Sequence, residues 1–132
     1  MSLYVWLALG GALGTLARFA VSSLVTQQWG DAFPWGTLII NVSGSFLIGF
    51  FATLTHSDGR FALNSTARDF VMTGIFGGFT TFSSFSLQTL TLARNGEWFR
   101  AGANSVASLV LCLIAVWLGY LAAATLNASK SS

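Results

Sequence analysis

Residues that ionise or bind metals are scarce in this sequence. Its 132 residues include one cysteine, one histidine and four acidic residues, and 8% are charged. A single cysteine allows no disulfide within the chain, and one His with one Cys cannot form the usual side-chain metal cluster. The sequence also contains no nucleotide-binding loop and no catalytic triad. The composition therefore argues against an enzyme.

Apolar residues are correspondingly abundant. They make up 54% of the chain, and the mean hydropathy is +0.70. The nearly uncharged stretches cover residues 3–25, 35–55, 70–93 and 101–126. Each is close to or longer than the roughly 20 residues that a membrane-spanning helix needs. We predict an all-α membrane protein with a single four-helix domain over residues 1–132, no soluble appendage, and a first helix that is retained rather than cleaved.

The basic residues are nearly balanced between the two sides of the predicted membrane. One side has Arg60, Arg68 and Lys130, and the other has Arg94 and Arg100, with Arg18 inside a span nearer that second side. This balance removes most of the asymmetry that orients membrane proteins, and two opposed copies would supply the inverted symmetry of many transporters. We predict an antiparallel homodimer with dual topology. The alternative is a chain that inserts in a single orientation, set by signals other than its weak charge asymmetry.

The third span carries glycines, hydroxyls and evenly spaced aromatic rings at residues 76–86. Lipid cannot bond the backbone groups of an interrupted helix, so such a break needs protein, water or an ion. We expect unwinding over residues 77–81, which keeps Phe82 and Phe85 adjacent on the second half-helix. Their ring edges are positive and suit a small anion. Packing or lipid contact is the alternative, which the flanking Gly-Gly and Thr-Thr pairs disfavour here. Carbonyls freed at residues 77–80 would suit Na⁺.

Arg18 is the one ionisable residue well inside a span, because all four acids lie in loops or at span edges. An intramembrane arginine is costly and usually faces a cavity, a partner or an ion path. A side chain that reaches the headgroup zone is the alternative. The absence of acids inside the membrane favours anions over cations.

Small and polar residues recur at helical spacing on three spans. The sets that share a face are Gly10, Gly14, Arg18 and Ser22; Thr37, Asn41 and Ser45; and Asn104, Ser108 and Cys112. The Asn41 amide offers two hydrogen bonds to a dehydrated anion, and hydrogen bonding between helices is its alternative role. Together these stripes indicate helices that line a narrow route.

Three segments resemble the Fluc family of microbial fluoride channels. They are GGALG at residues 10–14 followed by Arg18, GTL at residues 36–38 followed by Asn41, and GGFTTFSSFS at residues 77–86. The resemblance implies an antiparallel dimer with two fluoride pores in the cell membrane. It also implies a central structural Na⁺ on the carbonyls of Gly77 and Thr80. Phe82, Phe85 and Asn41 would contact fluoride, and Arg18 would supply a positive vestibule.

Together with Ser108 and Cys112, these residues form the predicted fluoride pathway, which would let fluoride leave the cytoplasm passively and so relieve its toxicity. The chain departs from the family at Gln88, where Glu is frequent, and at Cys112, where a hydroxyl is common. One alternative function is a small multidrug exporter, which needs a membrane-embedded carboxylate that this sequence lacks. The other is a scaffold subunit without transport, in which the polar stripes serve only for packing.

Overall fold

The computed structural model describes residues 1–130, and every regular element in that range is helical. Its spans that are long and apolar enough to cross a membrane are Leu3–Trp29, Trp35–Leu54, Ser65–Arg94 and Trp98–Ser129. A helix satisfies its own backbone polar groups, as a lipid environment requires. The predicted all-α architecture with four transmembrane-length spans is confirmed.

The helix ends lie beyond several of the predicted limits. Helix α1 covers Leu3–Trp29, α2 covers Trp35–Leu54, and the last helix, α6, covers Trp98–Lys130. Hydropathy alone stops at the first polar residues, whereas a helix continues through them into the headgroup zone. The predicted polar tail is therefore helical up to Lys130. Ser131, Ser132 and the side chain of Lys130 lie outside the described residues.

The third span is built from several short pieces. It contains α3 (Ser65–Asp69), a π-helical segment (Phe70–Phe76), α4 (Gly77–Phe79) and α5 (Phe82–Arg94). Between α4 and α5, Thr80 has φ −81° and ψ 158°, and Thr81 has φ −153° and ψ 112°. Thr80 and Thr81 therefore have extended backbone and together form the extended pair.

The expectation that residues 77–79 unwind was wrong, because they are helical and Gly77 has φ −64° and ψ −37°. The last turn of α4 is held by Thr80, whose N–H donates to the Phe76 carbonyl at 3.0 Å. The Thr80 hydroxyl donates to the same carbonyl at 2.9 Å. Between α4 and α5, extended backbone is thus confined to Thr80 and Thr81.

Glycines bring the helices into close contact. Helix α2 packs mainly against α6, where a Cβ on Gly49 would collide with the Val116 carbonyl and a Cβ on Gly119 with the Phe46 carbonyl. Such small residues let membrane helices approach each other.

Helix α1 packs against the third span by the same means. A Cβ on Gly10 would lie 2.6 Å from the Phe70 carbonyl oxygen, and one on Gly14 would collide with the Ile75 carbonyl. The predicted small-residue seam of α1 therefore faces the π-helical segment.

Side chains bind the carboxyl ends of α2 and α6 together at one membrane face. Arg68 Nη2 donates to the Ala52 carbonyl at 3.1 Å, and Asn127 Nδ2 donates to the Thr53 carbonyl at 3.1 Å. Asn127 Oδ1 also accepts the backbone N–H of Arg60 at 2.7 Å. These bonds satisfy carbonyls that the helix ends leave without internal donors.

Candidate functional site

Asn41 on α2 is bonded to the extended backbone of the third span. Its Oδ1 accepts the Thr81 N–H at 2.8 Å, and its Nδ2 donates to the Thr81 carbonyl at 2.9 Å. Thr81 is 7% exposed, so both of its backbone groups need such partners. The amide of Asn41 thus satisfies the backbone at the point where the helix stops.

Thr81 also begins the next helix. Its Oγ1 accepts the Ser84 N–H at 3.1 Å, which is the N-cap bond of α5, and its hydroxyl reaches Ser84 Oγ at 3.1 Å. A threonine at this position satisfies a helix N–H that would otherwise lack an acceptor. The extended pair is therefore compatible with membrane depth.

Two backbone N–H groups that a continuous α-helix would pair with carbonyls are bonded to side chains here. In a continuous α-helix the Thr81 N–H would donate to the Gly77 carbonyl, and the Ser84 N–H to the Thr80 carbonyl. Here those N–H groups bond to Asn41 Oδ1 and Thr81 Oγ1. Gly77 and Thr80 are the residues at which the family resemblance expects Na⁺.

A groove of about 610 Å³ lies beside the extended pair and gathers most of the predicted site residues. Those that line it are Asn41, Gly77, Thr80, Phe82, Phe85, Ser108 and Cys112. No acidic or basic residue is among its lining residues. The groove offers amide, hydroxyl, thiol and aromatic groups without a fixed charge.

The aromatic rings of Phe82 and Phe85 line the groove side by side. The centroids of Phe82 and Phe85 are 5.3 Å apart with an interplanar angle of 56°, so the two rings lie together as expected. Phe82 is 78% exposed, whereas Phe85 is partly buried. In a single chain, Phe82 therefore projects into the surroundings and contributes only part of its surface to the groove.

Ser108 lines the groove from α6 and is held there by a buried network. Its hydroxyl donates to Asn104 Oδ1 at 3.4 Å, and Asn104 Nδ2 donates to Thr89 Oγ1 at 2.9 Å. Asn104 is 1% exposed. The Thr89 hydroxyl in turn donates to the Phe85 carbonyl at 2.8 Å, so the network connects Ser108 to the helix that carries Phe85.

The structure places Arg18 apart from the other predicted residues. It lines a separate cavity of about 300 Å³, which has only Thr81 in common with the groove. Its Nε is buried without a hydrogen-bond partner, and Gln88 Oε1 in the same cavity is equally unpartnered. No carboxylate lines this cavity. Arg18 thus has a buried guanidinium N–H without a hydrogen-bond partner, in a cavity that no carboxylate lines.

A third cavity lies next to the Arg18 cavity. It has a volume of about 550 Å³ and shares Ser22, Thr37 and Gln88 with the Arg18 cavity. Its outer part contains the ion pair of Glu97 and Arg100, whose Oε1 and Nη1 are 3.1 Å apart. The Arg18 cavity thus has lining residues in common with both the third cavity and the groove.

Sequence reasoning missed Thr81, Gly44 and Gln88 as site residues. Thr81 followed by serine three positions on is a helix N-cap pattern, and this signal was present at the suspected break. Gly44 lies one helical turn from Asn41 and accommodates the Thr80 methyl group. Gln88 was noted only as a departure from the family, and its place beside Arg18 depends on the cavity that the two residues share.

The chain is similar to known proteins over most or all of its length. Residues 5–120 match the family model described as CrcB-like protein, Camphor Resistance (CrcB). A protein of Opitutus terrae named fluoride-specific ion channel FluC is 66% identical over 132 residues, covering 100% of both chains. Proteins of the same name from Methylocella silvestris and Rhodospirillum rubrum are 58% identical over 98% of both chains and 55% identical over 94% and 96%.

Proposed function

This chain belongs to the CrcB-like protein family, and we propose that it is a fluoride-selective ion channel through which fluoride leaves the cell passively. Curated relatives at 55–66% identity are named fluoride-specific ion channels. The protein is a multi-pass membrane protein of a channel family and not an enzyme. We place it in the cell membrane, where it would relieve fluoride toxicity.

The single observation that carries this proposal is the uncharged, largely apolar groove beside Thr80 and Thr81, into which a few amide, hydroxyl and thiol groups converge. Fluoride is small and strongly hydrated, so its passage requires donors that replace water at successive positions and still release the ion. Asn41 retains one N–H after its bond to Thr81, and Ser108 and Cys112 contribute further polar groups. The edges of Phe82 and Phe85 carry positive partial charge.

Arg18 supplies the positive potential in this mechanism. Its cavity shares lining residues with the third cavity and with the groove, and a charge with low-dielectric walls concentrates counter-ions. Because no carboxylate lines the Arg18 cavity, a small anion meets no opposing charge there. Arg18 would attract the ion, and the neutral groove would conduct it.

An antiparallel homodimer completes the site in this proposal. The groove is open in the single chain and Phe82 is 78% exposed, which suits a wall supplied by a second copy. The near balance of Arg60 and Arg68 against Arg94 and Arg100 supports insertion in both orientations. The interrupted third span of each copy would then face that of its partner.

The backbone at Gly77 and Thr80 fits a structural Na⁺. Carbonyl oxygens are hard ligands of the kind that alkali cations accept, and the α-helical donors of these two carbonyls bond elsewhere. Among residues 1–130 no group of three His, Cys, Asp or Glu side chains forms an alternative metal site. When bound, Na⁺ would crosslink the two copies and add positive potential near the pathways.

The liposome efflux assay tests this function against its alternatives. Purified protein in vesicles loaded with fluoride or chloride should release fluoride and retain chloride, and Phe82→Leu should slow the release. Phe99→Leu is the matched control, because Phe99 is 89% exposed and lies outside the groove. Drug-driven proton movement would support a multidrug exporter instead, and no flux of any kind would support a scaffold subunit.

A further inference from the structure

We propose that Asn41 is a positioning residue for the cation site, because its amide sets both carbonyls of that site through the backbone of Thr81. The inference rests on the proposed Na⁺ site. It gives Asn41 a second task besides lining the fluoride groove.

The first effect of Asn41 is on the Gly77 carbonyl. An α-helical N–H donates to the carbonyl four residues earlier, which makes Gly77 the acceptor for Thr81. Asn41 Oδ1 takes this N–H at 2.8 Å. Helix α4 ends at Phe79, and the ψ of 158° at Thr80 turns the Thr81 N–H off the helix axis. The Asn41 acceptor holds this N–H away from the Gly77 carbonyl and so leaves that oxygen available to a cation.

The second effect is on the direction of the Thr80 carbonyl. In a trans peptide the C=O of one residue and the N–H of the next point in opposite directions, and the described chain has no cis peptide. Since the Thr81 N–H points toward Asn41 on α2, the Thr80 C=O points away from α2. The Ser84 N–H, its α-helical donor, is bonded to Thr81 Oγ1.

A second hydrogen bond keeps this orientation fixed. Asn41 Nδ2 donates to the Thr81 carbonyl at 2.9 Å, so the amide bonds to both backbone groups of one residue and resists rotation about a single bond. An asparagine side chain has one acceptor and one donor at the required spacing. A leucine of similar size has neither, and a serine is too short to reach both groups.

The experiment measures thermal unfolding of the purified, detergent-solubilised protein in Na⁺ and in K⁺. A ligand that binds only the folded state raises the unfolding temperature in a concentration-dependent way. We expect Na⁺ to raise it for the wild type and Asn41→Leu to abolish this rise. Asn127→Leu is the matched control, because Asn127 also accepts a backbone N–H and donates to a backbone carbonyl, at the other end of α2. It should unfold at a lower temperature and keep the Na⁺ response.

A Na⁺ response of wild-type size in Asn41→Leu would overturn the proposal. If Asn41→Leu does not yield folded protein, Asn41→Ser decides the matter, because a serine is too short to bond both backbone groups of Thr81: a lost response supports the proposal and a retained one refutes it. A wild type indifferent to Na⁺ also refutes it. The fluoride efflux assay judges the channel function separately, since it can succeed or fail independently of the Na⁺ response.

Discussion

The methyl group of Thr80 occupies the space that the absent side chain of Gly44 leaves on α2. A Cβ on Gly44 would collide with Thr80 Cγ2, and the Thr80 hydroxyl is bonded to the Phe76 carbonyl at 2.9 Å. The threonine side chain is stiff at χ1, so it cannot turn away without losing that bond. Gly44 therefore fixes the approach of the extended pair to α2, one turn from Asn41.

Gly44→Ala should disturb the extended pair and slow fluoride efflux. Insertion of one methyl group into a close contact costs about 1–3 kcal/mol, and here the displaced methyl group belongs to Thr80, whose carbonyl is part of the proposed cation site. We expect a lower unfolding temperature and a slower release of fluoride from liposomes, measured on the same preparation.

Gly102→Ala provides the comparison for this variant. Gly102 is also helical, but nothing lies within 4 Å of an added Cβ. Alanine is favoured over glycine within a helix by about 1 kcal/mol, so this change should preserve or raise the unfolding temperature. Equal behaviour of the two alanine variants would refute a specific contact between Gly44 and Thr80.

Much of the fold follows from hydropathy and helical spacing. Four apolar stretches predicted the four spans, and the spacing of Gly10 and Gly14 predicted a packing seam that the structure places against Phe70 and Ile75. The helix ends were missed because polar residues beyond the apolar limits continue the helix. The length of the interruption was overestimated, since it depends on which carbonyls Thr80 can reach.

The gathering of several predicted residues could be anticipated from residue type, whereas their role in fluoride passage stays a prediction. Phe82, Phe85, Ser108 and Cys112 line one groove as expected. The pairing of Asn41 with Thr81 was not predictable, because it depends on the distance between two helices and not on spacing along one. The isolation of Arg18 from the groove was missed for the same reason.

Cys112 is a built-in probe of the proposed pathway. It is the one cysteine of the chain, it is partly buried, and it lines the groove. A small methanethiosulfonate reagent should therefore reach its thiol and obstruct fluoride release from liposomes. Cys112→Ser channels, whatever their own rate, should not respond to the reagent. Inhibition that persists in Cys112→Ser, or no inhibition of the wild type after confirmed labelling, would exclude Cys112 from the pathway.

Gln88→Glu should reduce fluoride efflux at neutral pH relative to this chain's own wild type, although Glu is frequent at this position in the family that the sequence resembles, because no carboxylate lines the Arg18 cavity here. The new carboxylate would share a cavity with Arg18, whose Nε has no partner, and would compete with the anion for the guanidinium. A competing ion pair worth about 1.4 kcal/mol lowers the rate roughly tenfold. Gln27→Glu adds the same charge at an exposed site on α1 and should change efflux little. Equal efflux from both variants would show that Arg18 does not act through this cavity.

Asn104→Leu should both destabilise the protein and slow efflux, because Asn104 lies between Ser108 and Thr89 in the buried network. The variant keeps a similar volume but leaves buried hydroxyls with fewer partners, at a cost of about 1–3 kcal/mol. Thr89 is bonded to the Phe85 carbonyl, so the loss also loosens the contact between α6 and the half-helix that carries both rings. Thermal unfolding and liposome efflux measure the two effects, and Asn127→Leu, which removes an amide that bonds backbone groups away from the groove and both cavities, controls for destabilisation alone. A destabilised Asn104→Leu with unaltered efflux would mean that the network supports the fold alone, whereas slower efflux at temperatures well below unfolding would show that it also holds the wall of the pathway.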